Sequence, residues 1–304
     1  MMDFVIVLLL IVLLMLFGLN NGALFEGGLV GNGSFKYQTS ALIVGGGLLL
    51  GALLEGTKTS NFALSLGGYL SGYVAIIIIL IQLALFFAFS YIKLPLSITQ
   101  ALIGAWVGAL IFLRPGFNAS PIYNLVFWWT VSPVIAILVS AILFQFLKRI
   151  TSKWRLAKIS YFNRFLLLII VFYTSFVLGA NNIGFIKGAF GIPIWLLVVI
   201  SVAATVGAVF MSSGFTKSIG EDFIVLGPLG IISALLGGAT VLLMLTLMGY
   251  PASLTTTTLG GMIGVGLASR PSRFKTSYLV MITASWVLAG FLGFAISGLV
   301  FKLL

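Results

Sequence analysis

Long apolar runs separated by short polar turns make up most of this 304-residue chain. A transmembrane helix needs about 20 consecutive, mainly apolar residues. The pattern therefore predicts an all-α polytopic membrane protein with about ten membrane segments. The candidate segments cover residues 4–20, 40–56, 69–92, 94–112, 122–147, 164–181, 193–212, 224–249, 251–269 and 277–302.

The composition agrees with a membrane protein and excludes several kinds of chemistry. Hydrophobic residues make up 61% of the chain and charged residues 7%, whereas a soluble domain carries about 25% charged residues. There is no cysteine and no histidine, which excludes disulfides, thiolate or imidazole metal sites and Ser-His or Cys-His catalysis. We therefore expect no enzyme activity and no cofactor. The sequence also lacks an ATP-binding P-loop, so an ion gradient must supply energy for transport unless a partner does.

Basic residues are concentrated between the fifth and sixth segments. Residues 148–163 together with Arg164 hold six of the sixteen Lys and Arg residues, and such loops remain on the cytoplasmic side. We predict a cytoplasmic linker at 148–163, both termini outside, and a location in the cell (plasma) membrane, in contact with the lipid bilayer. Since topology explains the net charge of +11, we expect no nucleic acid partner. Four basic residues then lie outside, namely Lys58, Arg114, Lys187 and Lys302.

The two halves, residues 1–147 and 164–304, repeat the same motifs in the same order. A pair of asparagines comes first, then P-x-S-x-T-x4-G-x3-G, then a tryptophan. Because each half has five segments, an odd number, the second half enters the membrane in the opposite orientation, which predicts two inverted repeats. The matched positions are Asn20-Asn21 with Asn181-Asn182, Pro95 with Pro251, and Trp129 with Trp286.

Each pair of asparagines follows an apolar run and precedes glycines. Asparagine competes for backbone hydrogen bonds and is disfavoured inside helices. We therefore predict broken or re-entrant helices, with a helix stopping inside the bilayer at each pair. The glycines within the proline motifs instead favour close helix packing. They are Gly104, Gly108, Gly260 and Gly264.

Together these elements resemble the inorganic phosphate transporter (PiT) family of secondary anion transporters. That family has a G-A-N-D signature and a P-V-S-T-T-H-like signature in each half. Residues 179–182 and Asn20-Asn21 match the first signature, and residues 95–100 and 251–256 match the second. The resemblance implies a secondary active transporter (permease) for inorganic phosphate, and it also suggests a homodimer.

The chain departs from the family signatures at charged positions. Both signature aspartates are asparagines here, Asn21 and Asn182, while Gln100 and Thr256 stand near the positions of the closing histidines. In the family those aspartates are associated with sodium, so the resemblance makes Asn21 and Asn182 candidates for the coupling ion. A short, sulfate-carrying branch of the family also lacks some of these acids. Sulfate, or another tetrahedral oxyanion, is therefore the alternative substrate.

The two proline motifs suit a buried oxyanion. Proline is favoured in the first turn of a helix, where free N–H groups and the helix dipole attract anions, and the motif hydroxyls would lie beside those groups. The alternative is that Ser and Thr only bond neighbouring carbonyls or pack helices, and that the asparagines only cap broken backbone. The predicted substrate-binding residues are Ser97, Thr99, Gln100, Ser253, Thr255, Thr256, Asn20 and Asn181.

Glu26 and Lys187 occupy equivalent positions of the two halves with opposite charges. Our hypothesis is that Lys187 replaces the charge of a bound sodium ion, while Glu26 accepts a proton for proton coupling. The alternative is that both side chains extend to opposite membrane interfaces. Sodium or a proton is then the coupling ion, with Asn21, Asn182, Glu26 and Lys187 as candidate residues. An anion channel of the same fold is a further alternative, which conductance without accumulation would reveal.

Overall fold

The computed structural model describes residues 3–29, 37–70, 72–92, 96–114, 116, 118–211, 226–269 and 276–304, and it describes only the backbone of 23–29, 37 and 276–282. All regular structure within these ranges is helical. We number the helices in chain order. They are α1 (Phe4–Leu29), α2 (Tyr37–Leu54), α3 (Thr57–Gly67), α4 (Gly72–Tyr91), α5 (Ile98–Leu113), α6 (Ser120–Thr151), α7 (Leu156–Leu178), α8 (Gly184–Phe190), α9 (Ile194–Val206), α10 (Pro228–Leu247), α11 (Leu254–Ser269) and α12 (Thr276–Leu303).

Fewer of the described helices are long and apolar enough to cross a membrane than the ten predicted segments would require. Seven of the described helical stretches are long and apolar enough to cross a membrane, or eight if α2 and α3, bent by 55°, form one span. The other two predicted segments are α5 and α11, which have only 16 residues each. At 1.5 Å per residue such a helix is about 24 Å long, less than the bilayer core of about 30 Å. The chain is thus an all-helical, multi-pass membrane protein, and the count of ten crossings is not confirmed.

The prediction that helices stop at the asparagine pairs is wrong. Asn20 and Asn21 lie inside α1, and Asn181 and Asn182 lie in a π-helical turn, Gly179–Ile183, that joins α7 directly to α8. All four side chains bond partners far away in the chain, and only Asn21 also bonds the backbone of its own helix, so they compete little with their own helix. The breaks occur instead at the proline motifs, where residues 96–97 and 251–253 are non-helical before α5 and α11.

Glycines allow several helix backbones to touch. A Cβ on Gly51 would lie 1.8 Å from the Phe176 carbonyl oxygen, and one on Gly179 would lie 2.0 Å from that of Leu48, so α2 packs directly on α7. The motif glycines behave as predicted, because Cβ atoms at these positions would also meet backbone of a neighbouring helix. Gly104 and Gly108 face α12, whereas Gly260 and Gly264 face α6.

The helices of the first half pack mainly on helices of the second half. Helix α1 contacts α9 and α2 contacts α7, while α5 packs along α12 and α11 along α6. Residues 148–163 are helical except at 152–155, because α6 continues to Thr151 and α7 begins at Leu156. This exchange of partners brings the beginnings of α5 and α11 next to the asparagine pairs.

Candidate functional site

The second asparagine of each pair contacts the threonine of the opposite half. Asn182 donates from Nδ2 to Thr99 Oγ1 over 2.7 Å, and Thr255 Oγ1 donates to Asn21 Oδ1 over 3.4 Å. Asn21 also donates to the Phe17 carbonyl oxygen in its own helix over 2.9 Å. The fold therefore brings four of the predicted site residues together in two matching pairs.

The beginnings of the two short helices converge on one nitrogen atom. Asn182 Nδ2 also donates to the Ala252 carbonyl oxygen over 2.8 Å. Ala252 lies just before α11, and Thr99 lies in the first turn of α5. The first N–H groups of a helix have no partner within that helix. The free N–H groups at the beginnings of α5 and α11 therefore lie near the same buried side chain, Asn182.

The first asparagine of each pair holds non-helical backbone in place. Asn181 donates to Thr246 Oγ1 (2.9 Å) and to the Tyr250 carbonyl oxygen (3.0 Å), and its Oδ1 accepts from the Ala252 N–H (2.7 Å). Asn20 donates to the Leu96 carbonyl oxygen over 3.2 Å. Since both N–H groups of Asn181 already have protein acceptors, this geometry suits a positioning residue better than the direct substrate ligand that the sequence suggested.

Trp129, to which the sequence assigned no chemistry, belongs to the same arrangement. Its Nε1 donates to the Pro251 carbonyl oxygen over 2.9 Å. The three consecutive carbonyl groups of Tyr250, Pro251 and Ala252 are thus held by Asn181, Trp129 and Asn182 in turn. The sequence does contain a signal for Trp129, because it matches Trp286 in the other half. That match does not indicate what the side chain contacts.

Several buried polar atoms at the site have no partner among the described residues. They are Ser97 Oγ, Gln100 Oε1 and Asn182 Oδ1, and each of these residues is at most 7% exposed. Buried polar groups are normally hydrogen-bonded, so such atoms are candidates for ligand contact. Ser97 is also the residue before the first turn of α5, and its side chain makes no capping bond.

The remaining predicted substrate-binding residues differ in whether their hydroxyl groups are free to contact a ligand. Ser253 is buried in the non-helical segment before α11. Thr256 donates to the Ser253 carbonyl oxygen over 2.8 Å, which is the local bond that the alternative interpretation expected. Its hydroxyl can still accept a hydrogen bond. Pro95 lies outside the described residues.

Of the two charged candidates, the described structure places only the side chain of Lys187. The backbone of Glu26 is part of α1, but its side chain lies outside the described residues. Lys187 is half-buried on α8, and its ammonium group makes no hydrogen bond or ion pair within the described part of the chain. The described residues likewise contain no group of three or more acidic side chains that could hold a metal ion. Within the described residues, the oxygens that Asn21 and Asn182 offer to a cation are neutral amide oxygens.

A cavity of about 570 Å³ lies behind the site, between α5, α6, α11 and α12. Gln100 reaches it at one end, but most of its lining is aliphatic or aromatic, for example Val107, Ile137, Ile263 and Phe291. A divalent anion needs polar partners to replace its water shell. An anion would therefore find more polar partners where α5 and α11 converge than in this cavity.

The chain is similar in sequence to phosphate transporters. A model of the phosphate transporter family matches residues 17–161 and 150–297. Over 209 residues the chain is 27% identical to a putative phosphate permease of Methanocaldococcus jannaschii, a match covering 66% of this chain and 65% of that relative. It is 30% identical over 105 residues to a probable low-affinity inorganic phosphate transporter of Rhizobium meliloti, covering 34% of this chain and 31% of that relative. Both matches span less than two thirds of the relatives' own length.

A solved structure described as the sodium-dependent phosphate transporter has the same fold. It superposes with a TM-score of 0.79, and the match covers 98% of each chain at 19% sequence identity. The similarity of fold extends over nearly all of the helices described above. With the family model matching both halves, the chain belongs to the phosphate transporter family.

Proposed function

We propose that the chain is a secondary active transporter that carries inorganic phosphate across the membrane. Membership of the phosphate transporter family supports this, as do the names of the relatives. The observation that carries the proposal is the convergence of α5 and α11 on Asn182, which bonds both Thr99 and the Ala252 carbonyl group. This is where fixed dipoles of two helices can act on one anion.

The energetics of this arrangement suit a phosphate ion. Removing a charged group from water is costly unless other polar groups replace the water. Each helix N-terminus acts as roughly half a positive charge, and the hydroxyls of Ser97, Thr99, Ser253 and Thr255 lie in the same region. The Gln100 side chain and Thr256 complete the proposed set, while Asn20 and Asn181 position the non-helical segments.

Two inverted repeats, residues 1–147 and 164–304 joined by the linker 148–163, would give this site its alternating access. The exchanged helix partners, α5 with α12 and α11 with α6, support a two-fold relation between the halves. So do the matching pairs Asn182 with Thr99 and Asn21 with Thr255. In this proposal, one half moves against the other and exposes the site to each side in turn.

The coupling ion in this proposal is sodium. The related structure is described as sodium-dependent, and Asn182 Oδ1 and Gln100 Oε1 are buried oxygens without a partner in the described residues. Amide oxygens can ligate a hard cation without a carboxylate. A proton is the alternative, and it would direct attention to Glu26 and Lys187.

We further propose that the chain is located in the cell membrane, with the basic linker 148–163 in the cytoplasm, and that it forms a homodimer. Lys148 and Arg149 lie in the last turn of α6, while Lys153 and Arg155 are exposed before α7. These exposed basic residues support placing the turn in water on the cytoplasmic side. The dimer rests only on the family resemblance.

Sulfate is the second candidate substrate, because the family's two signature aspartates are replaced by Asn21 and Asn182. Uptake of radiolabelled phosphate into proteoliposomes, under separately imposed sodium and proton gradients, tests both candidates. We expect sodium-driven accumulation of phosphate that excess unlabelled sulfate leaves unchanged. Proton-driven uptake that sulfate abolishes would replace the phosphate proposal with the sulfate one. Conductance without accumulation would indicate a channel.

A further inference from the structure

A second, polar pocket of about 330 Å³ lies at the surface above the candidate site. Helix α3 contributes Lys58, Asn61 and Ser65, which are spaced so that they share one face of the helix. The first turns of α6 contribute Asn124, and the link between α10 and α11 contributes Tyr250. The pocket therefore combines one ammonium group with amide and hydroxyl groups, unlike the apolar cavity behind the site.

The floor of this pocket is also part of the candidate site. The Tyr250 carbonyl group accepts a hydrogen bond from Asn181, and the Tyr250 ring packs edge-on against Phe62 of α3, with ring centroids 5.9 Å apart. Next to it, Gly249 adopts a φ of +83°, a conformation that glycine reaches without strain. One short, sharply turned segment thus separates the polar pocket from the residues proposed to bind phosphate.

The charges around α3 favour an anion. Lys58 forms an ion pair with Glu55, and both side chains are partly exposed, at 40% and 32%. The Arg114 guanidinium lies against Gly67 at the other end of α3, and Lys187 belongs to α8, which packs on α3. Three basic residues, Lys58, Arg114 and Lys187, therefore lie on or beside one short helix.

We infer that this pocket is an entry site where an oxyanion, inorganic phosphate, binds before it reaches the centre between α5 and α11. This inference rests on the proposed function. Lys58 exchanges its contact with Glu55 for the phosphate, while Asn61, Ser65 and Asn124 hydrogen-bond its oxygens. A cation is the less suitable occupant, because Lys58 lines the pocket whereas Glu55 does not.

The test compares KM and kcat for phosphate uptake in Lys58→Gln, Lys58→Arg and Glu55→Gln at low and high ionic strength. Lys58→Gln should raise KM about fivefold at low salt with kcat changed less than about twofold, because the entry charge acts on capture and is screened by salt. Lys58→Arg should resemble the wild type. Glu55→Gln should lower KM, because it frees the ammonium group. The matched control is Lys153→Gln, an exposed lysine between α6 and α7, which should change neither constant.

The outcomes separate this inference from the proposed function. If the wild type takes up phosphate but Lys58→Gln has an unchanged KM, the entry site is wrong and the central site stands. If KM rises equally in Lys58→Gln and Lys153→Gln, general surface charge accounts for the effect and the inference fails. If the wild type accumulates no phosphate, the proposed function fails and the entry site fails with it. If Lys58→Gln does not fold, Glu55→Gln tests the inference by itself. A KM for phosphate in Glu55→Gln that is not lower than in the wild type contradicts the inference.

Discussion

Asn182 donates a hydrogen bond of 2.7 Å to the hydroxyl of Thr99, a residue 83 positions earlier in the chain. The two residues belong to different halves, and each comes from a motif that the sequence alone singles out. Their contact is what joins the asparagine pair of the second half to the first turn of α5. Replacing either partner therefore tests whether this junction serves transport.

Thr99→Val should reduce kcat/KM for phosphate by about tenfold or more. The substitution keeps the shape of the side chain but leaves a buried Asn182 N–H without its acceptor, a loss of about 1–3 kcal/mol, and it removes a hydroxyl from the proposed site. Thr99→Ser should retain most activity. The control is Thr130→Val on α6, because the Thr130 hydroxyl is exposed and bonds only its own helix. Equal losses in Thr99→Val and Thr130→Val would contradict a specific role.

Asn182→Asp should make the stability of the protein depend more strongly on sodium. A carboxylate cannot donate to the Thr99 hydroxyl oxygen or to the Ala252 carbonyl oxygen, and a buried charge needs a partner. A bound cation would supply that partner and stabilise the folded state by mass action. Thermal unfolding in detergent, with sodium or choline chloride, measures the effect. The control is Asn163→Asp near the beginning of α7, and an equal sodium effect in both variants would argue against a cation at this position.

Trp129→Phe should lower kcat/KM several-fold, because a lost hydrogen bond costs about 1 kcal/mol and releases the Pro251 carbonyl group that fixes the start of α11. Trp128→Phe is the matched control, since a phenylalanine ring can keep the stacking of the neighbouring tryptophan on Tyr250. Uptake kinetics distinguish the two variants. If they behave alike, the Trp129 bond does not position α11 for transport.

Gly51→Ala should strongly destabilise the protein, because its Cβ would lie 1.8 Å from the Phe176 carbonyl oxygen and would force α2 away from α7. We expect a loss of about 1–3 kcal/mol or more, as for other overpacked sites. Gly46→Ala, on the same helix, places its Cβ in open space and should be neutral or slightly stabilising, by up to about 1 kcal/mol. Thermal unfolding in detergent compares them, and similar unfolding temperatures would contradict the close packing of α2 and α7.

The sequence predicts the helices well, since apolar length is a local property, and repeated spacing is enough to single out the motif residues as candidates. It does not predict that Asn21 meets Thr255 and Asn182 meets Thr99, because the exchange of helix partners between halves is a property of the whole fold. The expectation that helices stop at the asparagines failed for a related reason. Local propensity treats an asparagine side chain as a competitor for its own backbone, whereas Asn181 and Asn182 find distant acceptors.

The hydropathy pattern also does not predict that α5 and α11 are short. Hydropathy extends the fourth and ninth segments back over residues 94–97 and 251–253, whereas residues 96–97 and 251–253 of the structure are non-helical. Trp129 and Asn181 stabilise the second of these stretches through its backbone carbonyl and amide groups. Contacts of this kind leave no periodic trace in a sequence, so hydropathy alone does not separate α5 and α11 from the longer helices.

The most direct test of the account is equilibrium binding of radiolabelled phosphate to the purified protein, its Thr99→Val and Thr255→Val variants, and the variant carrying both changes. We predict one tight phosphate per chain, about tenfold weaker binding in each single variant, and a double variant weakened less than the two effects combined, because both hydroxyls hold the same ion. Binding that is unchanged in both single variants would contradict a phosphate site between the beginnings of α5 and α11.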